Sequence, residues 1–264
     1  SNTGLAGGAS NTWDTNTTAN WWNGSASVNW PAPGGTDDDA VFGGTAGTVT
    51  VTTATANDIA FSTTGYTLTG GTLTLNGTTP TLTNNTGIDA TVSSVIAGAG
   101  GLKKDGAGIL TLAGTNTYTG VTTVNSGAIV VQNNSAFGTS GNSITVSSGA
   151  AVDMGGNLAA NALNQGTRVF TVSGSGVGGT GVLTSTAANS QINAVSKVLL
   201  AGNATFGGPQ RWDIRGNTPT LDMAGLNLPQ TRADSLGLVG VAITPGAGNI
   251  VVNHGELNIT ASTH

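Results

Sequence analysis

The sequence predicts an all-β chain of many short strands, and three observations carry that expectation. Val, Ile, Leu and Thr alternate over runs of about four to six residues, the period-two pattern of a half-buried pleated strand. Glycine, 43 of the 264 residues, falls with Asn, Asp and Pro at the ends of those runs. Turns there need left-handed backbone or close chain approach. Charged residues are only 7% of the chain, against about a quarter in ordinary soluble domains. The abundant β-branched residues nevertheless argue for ordered structure, because disordered chains are usually highly charged and poor in them.

The strand candidates, in order, begin with TVTV at 48–51, YTLTG at 66–70, TLTL at 72–75, TLT at 81–83 and ATVSSVI at 90–96. ILTL at 109–112, AIVV at 128–131, SITVSS at 143–148, RVFTVSG at 168–174 and KVLLAG at 197–202 follow. TLDMAG at 220–225, LGLVGVAIT at 236–244, NIVVN at 249–253 and ELNIT at 256–260 complete the set. Such spacing suits a sandwich, a barrel or a solenoid. The short strands, and the Asn and Gly beside their ends, favour the solenoid, in which each side of a coil is one strand. One segment, NLAANALNQ at 157–165, places Leu158, Ala162 and Leu163 at helix-like spacing. It lacks strong caps, and a loop is the equal alternative.

Composition also excludes function classes. Seven Lys plus Arg and a net charge of −5 leave no electrostatic footprint for nucleic acid. No basic amphipathic helix and no apolar run of spanning length is present, so insertion into a membrane by this chain is not expected. Without cysteine, thiol catalysis and thiolate metal sites are excluded. Apart from Asp37, Asp38 and Asp39, the acids stand alone in turns or at strand ends, and no strand carries the paired spacing of a glycosidase. The histidines are His254 and His264; His254 precedes Gly255 in a turn, an unsuitable place for a Ser-His-Asp arrangement. The expectation is a chain that is not an enzyme and holds no cofactor, with Ca²⁺ as the one candidate ion.

The segment 98–131, GAGGLKKDGAGILTLAGTNTYTGVTTVNSGAIVV, packs three β-type runs between glycine-rich or asparagine-rich turns. Gly101, Leu102, Lys104, Gly106, Gly108, Leu110 and Leu112 lead to Asn116, Tyr118, Gly120, Thr122, Val124 and Gly127. That pattern closely resembles the autotransporter-associated β-strand repeat of the passenger regions of bacterial surface proteins. The resemblance decides between the architectures. It implies a right-handed parallel β-helix with coils of about twenty residues, and an extracellular or cell-surface address.

Residues 1–45 then read as an N-terminal cap and 46–264 as the solenoid. Trp13, Trp21, Trp22 and Trp30 all fall in the first thirty residues. TWDTNTTANWWNGSASVNWP, followed by DDDAVFGG, resembles the leading module of proteins with this repeat. As a cap, the rings would cover the apolar cross-section of the first coil. As a functional alternative, the four indoles would form a carbohydrate-binding platform. Asp37, Asp38 and Asp39 read either as a solvated turn or as a Ca²⁺ site. The related modules read Asp-Asp-Ala-Val-Phe at this place, which implies a structural role for Asp38, Asp39, Ala40, Val41 and Phe42. A later stretch, ATFGGPQRWDIRGNTPTLDMAG at 204–225, resembles a late coil of the same family. Arg211, Asp213 and Arg215 alternate around Trp212, so a charge ladder on the outer face is expected there.

The function expected from all this is that of a non-catalytic, secreted, structural or adhesive β-solenoid of the bacterial surface. The tail 249–264 reads as strands available for pairing, so a homopolymer joined through the chain ends into an extracellular fibre is expected. The Thr, Asn and Ser exterior suits contact with polysaccharide. The alternatives are a carbohydrate-binding module acting through the tryptophans, and a fragment of a larger autotransporter-like adhesin.

Overall fold

Short alternating strands satisfy their backbone by pairing on both edges, and in this computed structural model they do so coil upon coil. The structure describes residues 2–5, 11–15, 19–22, 25–30, 39–139, 141–155, 159–230, 235–244, 246, 248–253 and 255–260. The fold is all-β, and the helical content among the described residues is one 3-10 turn, Val177–Gly179. Strands run parallel to their counterparts one coil away, which is the parallel β-helix expected from the repeat. The residues form two compact units: Ser1–Thr122 with Ser135–Thr139, and Thr123–Asn134 with Ser140–His264.

In the first unit, Ala40–Phe42, Ile59–Phe61, Thr81–Asn84 and Leu102–Asp105 follow one another in parallel. Ala40 lies opposite Ile59, Ile59 opposite Leu82, and Leu82 opposite Lys104, forming one inward column. A second sheet stacks Asn11–Trp13, Thr48–Ala56, Tyr66–Leu75, Asp89–Val92 and Ile109–Leu112. Its buried column is Val49, Leu68, Val92 and Leu112. With Asp89 opposite Ile109, one coil takes about twenty residues. The alternation seen in the sequence is therefore a stacking code: inward positions of one strand lie over inward positions of the next, apolar over apolar except at places such as Lys104 below Leu82 and Asn84 opposite Phe61.

The first unit closes its N-terminal edge with a change of strand direction. Asn2–Leu5 runs parallel to Ala40–Phe42 but antiparallel to Trp21–Trp22, and the two-residue strand Ser27–Val28 is antiparallel again. Beneath this meander, Trp13, Trp21 and Trp30 are buried, with ring centroids 4.5 to 5.1 Å apart. Phe42 lies 5.5 Å from Trp13 and 5.4 Å from Trp21, and stacks on Phe61 at 5.2 Å. The aromatic cluster thus occupies the apolar cross-section of the first coils. Trp30 Nε1 donates to the Thr55 carbonyl at 2.7 Å, which ties the cluster to the second sheet.

In the second unit, Ile144–Val146, Val169–Gly174, Lys197–Ala204, Thr220–Asp222 and Ala242–Thr244 stack in parallel. Ile144, Phe170, Val198 and Leu221 make its buried column. Ala128–Val131, Ala151–Asp153 and Leu183–Thr184 form a second face. Gln191–Val195, Trp212–Ile214, Ser235–Val239 and Glu256–Thr260 form a third. Burial fades toward the last coil: Ile214 and Leu238 are buried, whereas their neighbour in register, Ile259, is 63% exposed. Of the helical candidate, residues 157 and 158 lie outside the described residues. The remainder is turn and loop, with Asn161 at φ 60 and with Leu163 and Gln165 buried.

Phe42 touches rings from three directions, so truncation leaves a void that rigid neighbours cannot fill. Phe42→Ala is expected to lower the unfolding free energy by about 3–5 kcal/mol in urea titrations. Trp22→Ala, at a half-exposed ring, is expected to change it by about 0.5 kcal/mol or less.

Candidate functional site

The repeat motif carries several buried polar side chains, and the structure places them within and between coils. Lys104 enters the inward column below Leu82 and is fully buried. Its Nζ donates to the carbonyls of Asp105 and Gly106, each at 2.8 Å, closing the turn that follows its own strand. Burial pulls its pKa from 10.5 down to about 8, and the nearby Asp105 charge opposes that shift. Asp105 itself meets Lys103 at 2.6 Å on the outer face. Gly106 has φ 74, and a Cβ there would lie 2.0 Å from the Asn84 carbonyl oxygen; one on Gly108 would lie 2.0 Å from that of Ile88. The motif's glycines are therefore the points where one coil passes directly over the backbone of the last.

Asn116 acts as a staple across three coils. Its Oδ1 accepts from the Ile96 N–H at 2.8 Å, and its Nδ2 donates to the Ala136 carbonyl at 2.7 Å. The Tyr118 hydroxyl lies 2.6 Å from Thr122 Oγ1, and both side chains are buried. Turn carboxylates do related work. Asp39 Oδ1 accepts from the Asp58 N–H at 3.1 Å, Asp58 Oδ1 from the Thr81 N–H at 2.7 Å, and Asp89 Oδ1 from the Ile109 N–H at 3.2 Å. Each carboxylate thus holds a backbone donor of the coil that follows.

That geometry bears on the residues singled out by sequence. Asp37 and Asp38 lie outside the described residues, as do His254 and His264. Asp39 bonds Asn57 Nδ2 as well as the Asp58 N–H, an arrangement of a structural turn. Among the described residues no group of three or more His, Cys, Asp or Glu is placed to hold a metal ion. Three of the four platform tryptophans, Trp13, Trp21 and Trp30, are buried against one another in tilted and edge-on contacts, and Trp22 is the one with substantial exposure, 41%. The reason is the apolar column end, which draws large rings inward. The outer charge ladder at Arg211, Asp213 and Arg215 is corrected. Asp213 is fully buried and receives a two-pronged bond from Arg211, Nε to Oδ1 at 2.8 Å and the terminal nitrogen to Oδ2 at 2.9 Å. Gly237, opposite it in register, supplies the room, since a Cβ there would lie 2.2 Å from Asp213 Oδ1. Trp212 is core, its Nε1 donating to the Gly207 carbonyl at 3.0 Å.

One polar cluster gave no distinguishing signal in sequence. Asp153 is buried, which pushes its carboxyl pKa up, against hydrogen bonds from the Thr186 N–H and hydroxyl. Beside it, Thr180, Thr184, Thr186, Gly208 and Pro209 line a cavity of about 370 Å³. A smaller groove of about 160 Å³ is bordered by Asn164, Asn193, Arg215 and Asn217. In sequence, Asp153 looks like every other isolated acid, and its partners lie a coil away.

Comparison with known proteins agrees with this architecture. Residues 102–131 match the passenger-associated-transport-repeat family, the type of repeat inferred from the motif. A 142-residue stretch, 53% of this chain, is 43% identical to the adhesin BmaC autotransporter of Brucella suis biovar 1 (strain 1330). The matched stretch covers 4% of that protein's length. No solved structure matches. The repeat and the autotransporter similarity mark a secreted protein of the cell surface.

Asn116→Ala would orphan one buried donor and one buried acceptor, so a loss of about 2–5 kcal/mol is expected in equilibrium unfolding. Lys104 gives a pH signature of definite sign. The folded state holds this proton less tightly than the unfolded chain, so between pH 8 and pH 10.5 the unfolded chain binds more protons. Native stability should therefore rise with pH across that window. The rise is read as the difference between wild type and Lys104→Met, in which this contribution is absent.

Proposed function

We propose that this chain is a non-catalytic, adhesive β-solenoid element displayed at the bacterial surface, and that its last coil is an association edge. The observation that carries the reading is the use of the repeat's polar residues. Lys104, Asn116, Tyr118 and Thr122 all bond within and between coils, so the motif serves architecture rather than chemistry. An outer surface of Thr, Asn and Ser remains for contact, suited to many weak hydrogen bonds with polysaccharide or with another protein. The similarity to an autotransporter adhesin supports the adhesive part.

The association edge rests on the strands of the last coil. Ala242–Thr244, Ile250–Val252 and Glu256–Thr260 each pair on one side among the described residues. Val251, Val252 and Ile259 there are 43%, 42% and 63% exposed. Such an edge accepts further parallel strands. A second copy docking there would build an open filament if it used its N-terminal edge, and a closed dimer if it used the same edge. On the first sheet the outermost N-terminal strand has two residues and runs antiparallel, a poor template for this, whereas Asn11–Trp13 on the second sheet is parallel to Thr48–Ala56.

Electron microscopy of the purified chain at micromolar concentration tests this reading. Filaments or paired particles that revert to single particles on Val251→Lys with Ile259→Lys are expected. Single particles of the wild type at every concentration would overturn the association, and leave the adhesive reading to cell-binding assays of the displayed chain.

A further inference from the structure

The cavity beside Asp153 has a chemical character that the stacking of coils does not require. Its floor is Thr184 and Gly208, both buried, and its rim is Thr180, Thr186 and Pro209, all exposed. Thr184 is 4% exposed, yet its Oγ1 has no hydrogen-bond partner among the described residues. A buried hydroxyl without a partner is costly; Ser94 and Ser185 share that state, and Thr184 is the one that lines this cavity. The other two hydroxyls are oriented by bonds behind them. Thr180 Oγ1 donates to the Val177 carbonyl at 2.8 Å, and Thr186 Oγ1 donates to Asp153 Oδ2. Each has given its one proton away and faces outward as an acceptor.

We infer that this cavity is a binding site for one neutral pyranose unit of a glycan. The hydrogen-bond inventory selects the class. Two fixed acceptors, and one hydroxyl free to donate or accept, call for a ligand with several hydroxyl groups. An anion would find no cationic side chain among the described residues of the lining. A metal cation would have to take the Asp153 carboxylate away from Thr186, whose N–H and hydroxyl hold one oxygen each. The Pro209 ring supplies an apolar wall of the kind that covers the C–H face of a sugar. A volume of about 370 Å³ stands at the small end of ligand pockets, about 300–1,000 Å³. The inference goes beyond the adhesive reading and stands without it, since it concerns one cavity of the second unit and not the last coil.

The test is threonine-methyl NMR of the whole chain titrated with free glucose, galactose, mannose and N-acetylglucosamine, and with glucuronate as the charged comparison. At least one neutral sugar is expected to shift Thr180, Thr184 and Thr186 at millimolar concentration. Thr184→Val keeps the shape and removes only an unpartnered hydroxyl, so it should fold with unchanged circular dichroism and weaken that binding about tenfold or more. Thr180→Val, at the rim, provides a second variant with the same expected direction. The inference is overturned if no neutral sugar shifts these threonines, if glucuronate binds best, or if Thr184→Val folds and binds as the wild type does.

Discussion

Everything in this molecule answers to the spacing between coils, about 4.8 Å from one parallel strand to the next. At that distance a residue has its counterpart directly above and directly below, so the unit of design is the column, not the residue. Ala40, Ile59 and Leu82 form one such column, and Lys104 extends it with an ammonium that must bend to the carbonyls of Asp105 and Gly106. Where coils press closest, only glycine fits. Where a turn leaves a backbone donor uncovered, an Asn or Asp side chain reaches across to it. The Asn227 N–H donates to Asn203 Oδ1 at 2.9 Å, and the Asn249 N–H to Asn227 Oδ1 at 3.2 Å, so the device repeats from coil to coil.

Among the described residues, columns are covered at the first strands of the first unit and open at the last strands of the second. At the N-terminal edge the strand direction reverses and a cluster of large rings occupies the core beneath it. In the second unit, by contrast, burial fades along the column Ile214, Leu238 and Ile259, and Ile259 stands open to solvent. The tryptophans thus read best as a consequence of the column principle: an exposed stack end is apolar, and the largest apolar side chains remove the most area from water.

The architecture was legible because period-two alternation is the column code written along one dimension. The strands Ile109–Leu112, Ala128–Val131 and Glu256–Thr260 lie where the pattern put them. The failures are where a coil-to-coil contact overrides local pattern. YTLTG and TLTL read as two strands, but Tyr66–Leu75 is one, because Gly71 marks a close pass over the Thr52 carbonyl and not a break. ATVSSVI reads as one strand and is two, because Ser93 and Ser94 both turn their N–H groups to the Leu68 carbonyl. Asp213 reads as outward and solvated, yet Gly237 a coil away admits it to a buried bond with Arg211. The cavity over Thr184 was invisible for the same reason: its threonines belong to a composition full of threonine, and only the fold tells which hydroxyl lacks a partner.

The column principle also accounts for the scarcity of charge. A charged residue on an outward position of a solenoid faces the same position of its neighbours at strand spacing, where two like charges repel by about 1–4 kcal/mol between aqueous and protein-surface dielectric values. A charge is tolerated where its column changes character or where its own strand answers it. Asp213 stands opposite Gly237 and pairs with Arg211, and Asp105 pairs with Lys103. Asp58 and Asp89 sit at turns, each bonded to a backbone N–H. The 7% charged composition is then a property of stacking before it is one of solubility, and it constrains recognition. A surface that cannot carry charge in repeated positions presents mainly hydroxyls, amides and backbone to its surroundings.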